Sequence, residues 1–225
     1  SYLRPDHERL VRDVLLARLP HLSVSLSSEV SPQMREYERF NTTCANAYVR
    51  PMMESYLSRL ADRLAQQGAA CPIFLMHSGG GIVSIDTAAT FPVRLVESGP
   101  AGGAIFAADV ARRHGLSRVL SFDMGGTTAK ICLIRDGAPK TARVFEVARS
   151  WRFKKGSGMP ISIPVIDMVE IGAGGGSLAH VDGLGRIQVG PESAGSEPGP
   201  AAYGRGGERL AVTDADLTLG RLDPA

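Results

Sequence analysis

The feature that most constrains this chain is the run Ser121-Phe122-Asp123-Met124-Gly125-Gly126-Thr127-Thr128-Ala129-Lys130-Ile131-Cys132-Leu133-Ile134. An apolar strand from Val119 to Phe122 meets an acid, then two glycines and two threonines, then a second apolar strand. Such spacing predicts a β-hairpin with a glycine turn. Paired glycines accept dihedrals closed to other residues and let a ligand approach the main chain. Successive N–H groups in such a turn can make a concave anion site, and Thr127 and Thr128 add hydroxyl donors. Asp123, expected at the end of a buried strand, could hold a divalent cation through water or orient an attacking water. Two readings of these residues stand side by side: a nucleotide-phosphate cradle, or an ordinary hairpin with a solvated acid. A Walker loop is excluded, because no G-x-x-x-x-G-K-[ST] run opens a helix here.

Composition narrows the surroundings of that hairpin. The 225 residues allow one large domain or two small ones, and 44% hydrophobic with 21% charged residues fits a globular protein. A net charge of +2 leaves no electrostatic footprint for nucleic acid or an anionic membrane. The 26 glycines gather in short runs, which points to loops whose backbone does the recognition. Three widely spaced cysteines (Cys44, Cys71, Cys132) suggest neither a disulfide framework nor a zinc knuckle, and their apolar neighbours predict inert core thiols in a reducing, cytoplasmic setting. No signal peptide is expected, and no apolar run in these residues nears the roughly 18 residues of a membrane span. With no initiator Met and a helix almost at once, the chain is expected to be an excised piece of a longer polypeptide.

Taken in order, residues 6–19 predict an amphipathic helix ended by Pro20, and Leu22–Leu26 alternates as a half-buried strand. A helical tract follows over 32–67, which Pro51 should kink or split. Its polar residues Arg35, Glu36, Tyr37, Arg39, Asn41 and Thr42 predict a solvated face. Residues 72–77 read as a strand buried on both faces, running into Ser78-Gly79-Gly80-Gly81 with His77 as a satisfied imidazole. A short helix near 85–90 and a small-residue helix from Ser98 to His114 lead to the hairpin. Beyond it come a strand over 140–147 and a basic stretch around Trp151 with Arg149, Arg152, Lys154 and Lys155, read as a solvated loop. A strand over 163–171 enters Gly172-Ala173-Gly174-Gly175-Gly176-Ser177, and the chain re-enters the sheet at 178–181. Asp167, Glu170 and His180 flank that loop in no familiar metal-ligand spacing. Residues 189–207 are too rich in Gly and Pro for regular structure, and Thr213 caps a final helix.

Several of these blocks converge. Ser25-Leu26-Ser27-Ser28-Glu29-Val30 with Arg35-Glu36-Tyr37-Glu38-Arg39, Ser98-Gly99-Pro100-Ala101-Gly102-Gly103, Asp123-Met124-Gly125-Gly126-Thr127-Thr128, Ile171 to Ser177, Val189 to Gly195 and Pro198-Gly199-Pro200-Ala201 together resemble the hydantoinase A / 5-oxoprolinase family, which includes acetone carboxylase subunits. Two departures stand out. His77-Ser78-Gly79-Gly80-Gly81 replaces the Gln-Ser-Asn-Gly-Gly run of many relatives, and Thr-Ala-Lys replaces the Ser-Thr-Asp that often closes the phosphate turn, which leaves the role of Lys130 open.

The resemblance implies an α/β, actin-like ATPase (ribonuclease H-like) fold with a mixed sheet and flanking helices, present here as an incomplete part. Residues 1–97 would belong to the first lobe and 98–225 would begin the second, with the Gly99–His114 helix connecting the lobes. It further implies ATP and Mg²⁺ as cofactors. Gly125, Gly126, Thr127 and Thr128 would contact phosphate, and Asp123 would serve as the catalytic acid holding Mg²⁺ through water. Gly174, Gly175, Gly176 and Ser177 would be substrate-side or second-phosphate contacts. The implied reaction is phosphorylation of a cyclic amide oxygen before hydrolysis, or carboxylation of a ketone. A second, B-type subunit or domain would be the partner, with neither nucleic acid nor membrane involved.

Overall fold

The computed structural model describes residues 3–151 and 156–223. The chain forms two compact units: Ser1–Phe106 with Thr141–Asp167, and Ala107–Lys140 with Met168–Ala225. Residues 141–167 thus return to the first unit, where the lobe division expected at 97/98 keeps them with the second.

In the first unit, helices α1 (Asp6–Arg18), α2 (Ser27–Val30) and α3 (Glu36–Gln66) come first. Helix α1 follows the predicted periodicity, yet none of its residues is buried. Glu8 on it reaches the start of α2, accepting from the Ser27 hydroxyl at 2.8 Å and the Ser28 amide at 2.9 Å. Leu22–Leu26 is not a strand. Its polar groups meet α3 side chains instead of a neighbouring strand: Arg50 Nη1 donates to Val24 O (2.7 Å) and Asn46 Nδ2 to Ser25 Oγ (3.0 Å).

Helix α3 runs through Pro51 without splitting in two. One lost backbone bond is outweighed by anchors on both sides, Asn46 and Leu57 being buried. The solvated polar face holds for Arg35, Glu36 and Tyr37, which are exposed, but not for Arg39 and Thr42. Arg39, Thr42 and Asn46, spaced to share one side of the helix, are all buried. Thr42 Oγ1 accepts from Ser162 N (2.8 Å), Asn46 Oδ1 from Val93 N (3.3 Å), and Asn46 Nδ2 donates to Thr90 O (3.1 Å). The helix satisfies backbone groups of irregular segments that cover it, around a core of Val30, Val93, Ile161, Ile163 and Val165.

Strands β1 (Phe74–Met76) and β2 (Ile82–Ser84) form an antiparallel hairpin. It is not buried on both faces, since Phe74 is 55% exposed. Helix α4 (Ile85–Thr90) is capped by Ser84, whose hydroxyl accepts from Thr87 N. Helix α5 (Ser98–Arg113) buries Ala101, Ala104, Ala108 and Ala111 along one face. The strand expected over 140–147 is broken into β6 (Thr141–Ala142), paired with β9 (Val165–Ile166), and β7 (Phe145–Val147), paired with β8 (Met159–Ile161). Trp151 is exposed, and Arg152, Lys154 and Lys155 lie outside the described residues.

The second unit holds β3 (Arg118–Met124), β4 (Ala129–Arg135), β5 (Ala138–Pro139) and β10 (Met168–Ile171) in the order β10-β4-β3, with β5 on β4. The expected 163–171 strand therefore splits at Asp167 between two sheets. Strands β11 (Ser177–Val181) and β12 (Ile187–Ser193) form a ribbon, so 189–193 is regular despite its Gly and Pro, and α6 (Val212–Thr218) follows. The fold class is α/β, as expected; every ladder among the described residues is antiparallel. The hairpin strands are less buried than predicted, Leu120, Phe122 and Leu133 being about half exposed. Of the three free cysteines only Cys132 is in the core; Cys44 and Cys71 are exposed.

Candidate functional site

Strand β3 ends at Met124 and β4 begins at Ala129, so residues 125–128 are the turn, closed by Gly125 N donating to Thr128 O at 3.0 Å. Neither Gly125 nor Gly126 adopts a positive φ. Left-handed backbone therefore does not account for either glycine. A Cβ placed on Gly126 would meet nothing within 4 Å, and one on Gly125 only Thr128 O at 3.8 Å. Asp123, Gly125, Gly126 and Thr127 are exposed and Thr128 is half-buried. No acceptor among the described residues takes the N–H of Gly126, Thr127 or Thr128, and neither threonine hydroxyl is paired.

The carbonyl side of the same turn is closed. Gly175 N donates to Gly125 O (2.9 Å) and Gly176 N to Gly126 O (2.8 Å). Gly174 packs so tightly on the turn that a Cβ there would lie 2.6 Å from Gly125 O, 2.6 Å from Thr127 N and 2.7 Å from Gly126 C. Gly174 N donates to the buried Ser177 Oγ at 2.9 Å. Thr213, from the first turn of α6, gives both its N–H and its hydroxyl to Gly175 O, each at 2.8 Å, and Ala194 N donates to Gly176 O (2.7 Å). The amides of Gly174, Gly175 and Gly176, expected to face a ligand, are engaged inside the protein.

This brace was not visible in the sequence. Thr213 carries the signature of a helix cap, but the carboxylate that accepts at the start of α6 is Asp214, from Ala211 N (2.7 Å) and Ala202 N (2.6 Å). Lys130 gains a place as well. It stands directly across from Asp123 on β3 and from Glu170 on β10, with its ammonium 3.9 Å from Glu170 Oε1.

The other candidates do not gather. Asp167 belongs to the first unit, while Glu170 lies on β10 and His180 on β11 opposite Gln188. Among the described residues no group of three or more His, Cys, Asp and Glu could hold a metal. His77 is enclosed by its own glycine loop: Nδ1 accepts from Gly79 N (3.0 Å), and a Cβ on Gly81 would come 2.6 Å from Nε2. Burial first, then the Arg94 charge, pushes its pKa down. A cavity lined by Leu133, Arg135, Ala138 and Lys140 adjoins the end of β4 remote from the turn.

The fold recurs in known proteins. The chain is 38% identical to the caprolactamase subunit alpha of Pseudomonas jessenii, over 99% of this chain and 31% of that one. It is 38% identical to the 5-oxoprolinase of Saccharomyces cerevisiae, over 100% of this chain and 16% of that one. The nucleotide-free structure of an acetone carboxylase, from work on ATP-dependent acetone carboxylation, superposes with a TM-score of 0.74 at 28% identity, covering 100% of this chain and 31% of that one. The chain thus spans about a third or less of the length of these relatives. The family model for hydantoinase/oxoprolinase matches residues 39–225, and the chain belongs to that family.

Proposed function

We propose that this chain is the phosphate-binding part of a cytoplasmic, ATP-dependent enzyme that opens cyclic amides. The observation that carries the reading is the asymmetry of the 125–128 turn: three consecutive N–H groups and two hydroxyls take no partner among the described residues, while the carbonyl side is clamped. Such a donor set fits phosphate oxygens, and an exposed carboxylate two residues before the turn fits a hydrated Mg²⁺. When bound, ATP supplies a phosphoryl group that turns a poor leaving oxygen of the amide into a good one. The chain's own task is to hold and orient. Gly126, Thr127 and Thr128 bind phosphate oxygens through N–H and hydroxyl groups, and Asp123 holds the cation's water. Positioning and charge neutralisation of this kind supply most of the catalysis in phosphoryl transfer. Gly174, Gly175, Gly176 and Ser177 contribute as the brace that keeps the turn's donors aimed outward, beside whatever substrate-side contact they make.

Relatives named as caprolactamase and 5-oxoprolinase favour a cyclic amide as substrate. The structural likeness to an acetone carboxylase favours a second reading, ATP-dependent carboxylation of a ketone. Several relatives are named as subunits, in keeping with a B-type partner subunit or domain. Residues 1–97 are proposed to belong to the first ATPase lobe and 98–225 to open the second. The test is turnover by the full-length protein with its partner on hydantoin, 5-oxoproline and acetone, with and without bicarbonate. Cyclic-amide opening coupled to ATP is expected; ATP consumption that requires bicarbonate and a ketone selects the second reading. Asp123→Ala is expected to abolish ATP turnover, and intact turnover in that variant refutes the site. The 225 residues alone are expected to turn nothing over.

A further inference from the structure

The glycine loop of the first unit has no part in the reading so far. It joins β1 to β2 through residues 77–81, and the His77 imidazole lies against it: a Cβ on Gly79 would come 2.8 Å from Cε1, and one on Gly81 2.6 Å from Nε2. Nδ1 accepts from Gly79 N at 3.0 Å, so the proton of the neutral ring sits on Nε2. Burial and the Arg94 charge push the His77 pKa down, which keeps the ring neutral and this tautomer fixed. No acceptor among the described residues takes that Nε2–H, nor the N–H of Gly81 beside it. Arg94 is held at the same loop. Its carbonyl accepts from Ser78 N at 2.8 Å, and its guanidinium lies 4.7 Å from the centre of the Phe91 ring. The side chain is half-buried, yet no carboxylate among the described residues pairs with it. Stacking on an aromatic ring orients a guanidinium while leaving its edge N–H donors unspent.

We propose that His77, Gly81 and Arg94 form a binding site for a carboxylate: the guanidinium grips the anion's oxygens, and the Nε2–H of His77 and the N–H of Gly81 complete its hydrogen bonding. One fixed positive charge beside neutral donors matches a planar monoanion, whereas a phosphate dianion would be left with unbalanced charge. The planar fork of the guanidinium suits two oxygens of one carboxylate. Glycine at position 81 keeps a methyl away from the donor edge of the ring. The carboxylate is either a substituent of the substrate or bicarbonate, which share this chemistry. None of the three residues belongs to the 125–128 turn, so the site does not rest on the phosphate reading.

The experiment is calorimetry on the full-length protein with its partner subunit, titrated with 5-oxoproline, with pyrrolidinone (the same ring without the carboxylate), with bicarbonate and with inorganic phosphate. Binding of 5-oxoproline identifies the substrate's carboxylate as the ligand, and binding of bicarbonate identifies the free anion. Whichever binds is expected to weaken about tenfold or more in Arg94→Gln and about threefold in His77→Phe, the charged bond being the stronger. Affinities for pyrrolidinone and for ATP are expected to change about twofold at most, since neither needs the carboxylate contact. Binding of neither carboxylate, phosphate bound as tightly as the better of the two, or equal losses for carboxylate and ATP overturns the site. Thermal melts on the same samples keep an unfolded variant from counting as a result. Arg94→Lys, which keeps the charge and loses the fork, is the fallback: carboxylate affinity unchanged in it and in His77→Phe also overturns the site. The ATP titration separates the two readings. Unaltered protein that binds ATP but neither carboxylate refutes this site alone; carboxylate binding without ATP binding refutes the turn alone.

Discussion

Two glycine loops in the second unit have nearly the same composition and opposite uses. In 125–128 the glycine carbonyls are pinned and the amides of Gly126, Thr127 and Thr128 take no acceptor among the described residues; in 174–177 every glycine amide is a donor to the protein. In the first no protein neighbour demands glycine, in keeping with the proposed approach of a ligand from outside. The second needs it because another piece of backbone is already there, at distances no Cβ tolerates. A glycine run therefore signals proximity of main chain to a partner, without saying whether the partner is a ligand or the protein itself.

The largest expected effect comes from breaking the packed loop. Gly174→Ala puts a methyl 2.6–2.7 Å from three atoms of the turn's backbone, which cannot rotate away. A loss of about 2–3 kcal/mol in chemical denaturation is expected, as for overpacking in general, together with loss of ATP binding. Gly126→Ala tests the open loop. Its methyl meets no protein atom and its φ is ordinary, so stability should hold or rise by about 0.4–1 kcal/mol. ATP affinity should nonetheless fall about tenfold by calorimetry, because the methyl stands where phosphate approaches. A stable Gly126→Ala variant with full ATP affinity would erase the distinction between the loops.

Smaller effects sharpen it. Thr213→Val removes the hydroxyl donor from Gly175 O while leaving the amide donor, and should cost about 1 kcal/mol. ATP affinity in that variant should fall less than in Gly126→Ala, since the brace acts only through the turn. The smallest effect is a control in the first unit. Burial pushes the Glu8 carboxyl up, but the Ser28 amide and the Ser27 and Ser28 hydroxyls outweigh it and hold the pKa at about 2, against an ordinary 4.5. A depressed carboxyl adds stability above its unfolded value, lost as pH falls through the folded one. The melting-temperature gap between the parent and Glu8→Gln should therefore be full at neutral pH and close between about 4.5 and 2, without changing ATP affinity.

Much of the architecture was legible because it is local. The Asp123–Thr128 hairpin, helices over 6–18, 85–90 and 98–113, and the β10–β11 glycine loop follow from periodicity, turn residues and caps within a dozen positions. Where the reading failed, the deciding partner lay far along the chain. Leu22–Leu26 alternates like a strand but has helix side chains for neighbours; Arg39, Thr42 and Asn46 share a face that looks solvated until segments near residues 90 and 162 cover it. Pro51 failed to break α3 because Asn46 and Leu57 are held on either side of it.

What the sequence determined by itself was a run of residues able to make a phosphate turn, since donor types and backbone freedom are properties of the residues themselves. Only the tertiary structure decided which donors remain available. Hydrogen-bond capacity belongs to a residue, but its satisfaction belongs to a pair, and the donors that close the Gly125 and Gly126 carbonyls are Gly175 and Gly176, far along the chain in the loop behind β10.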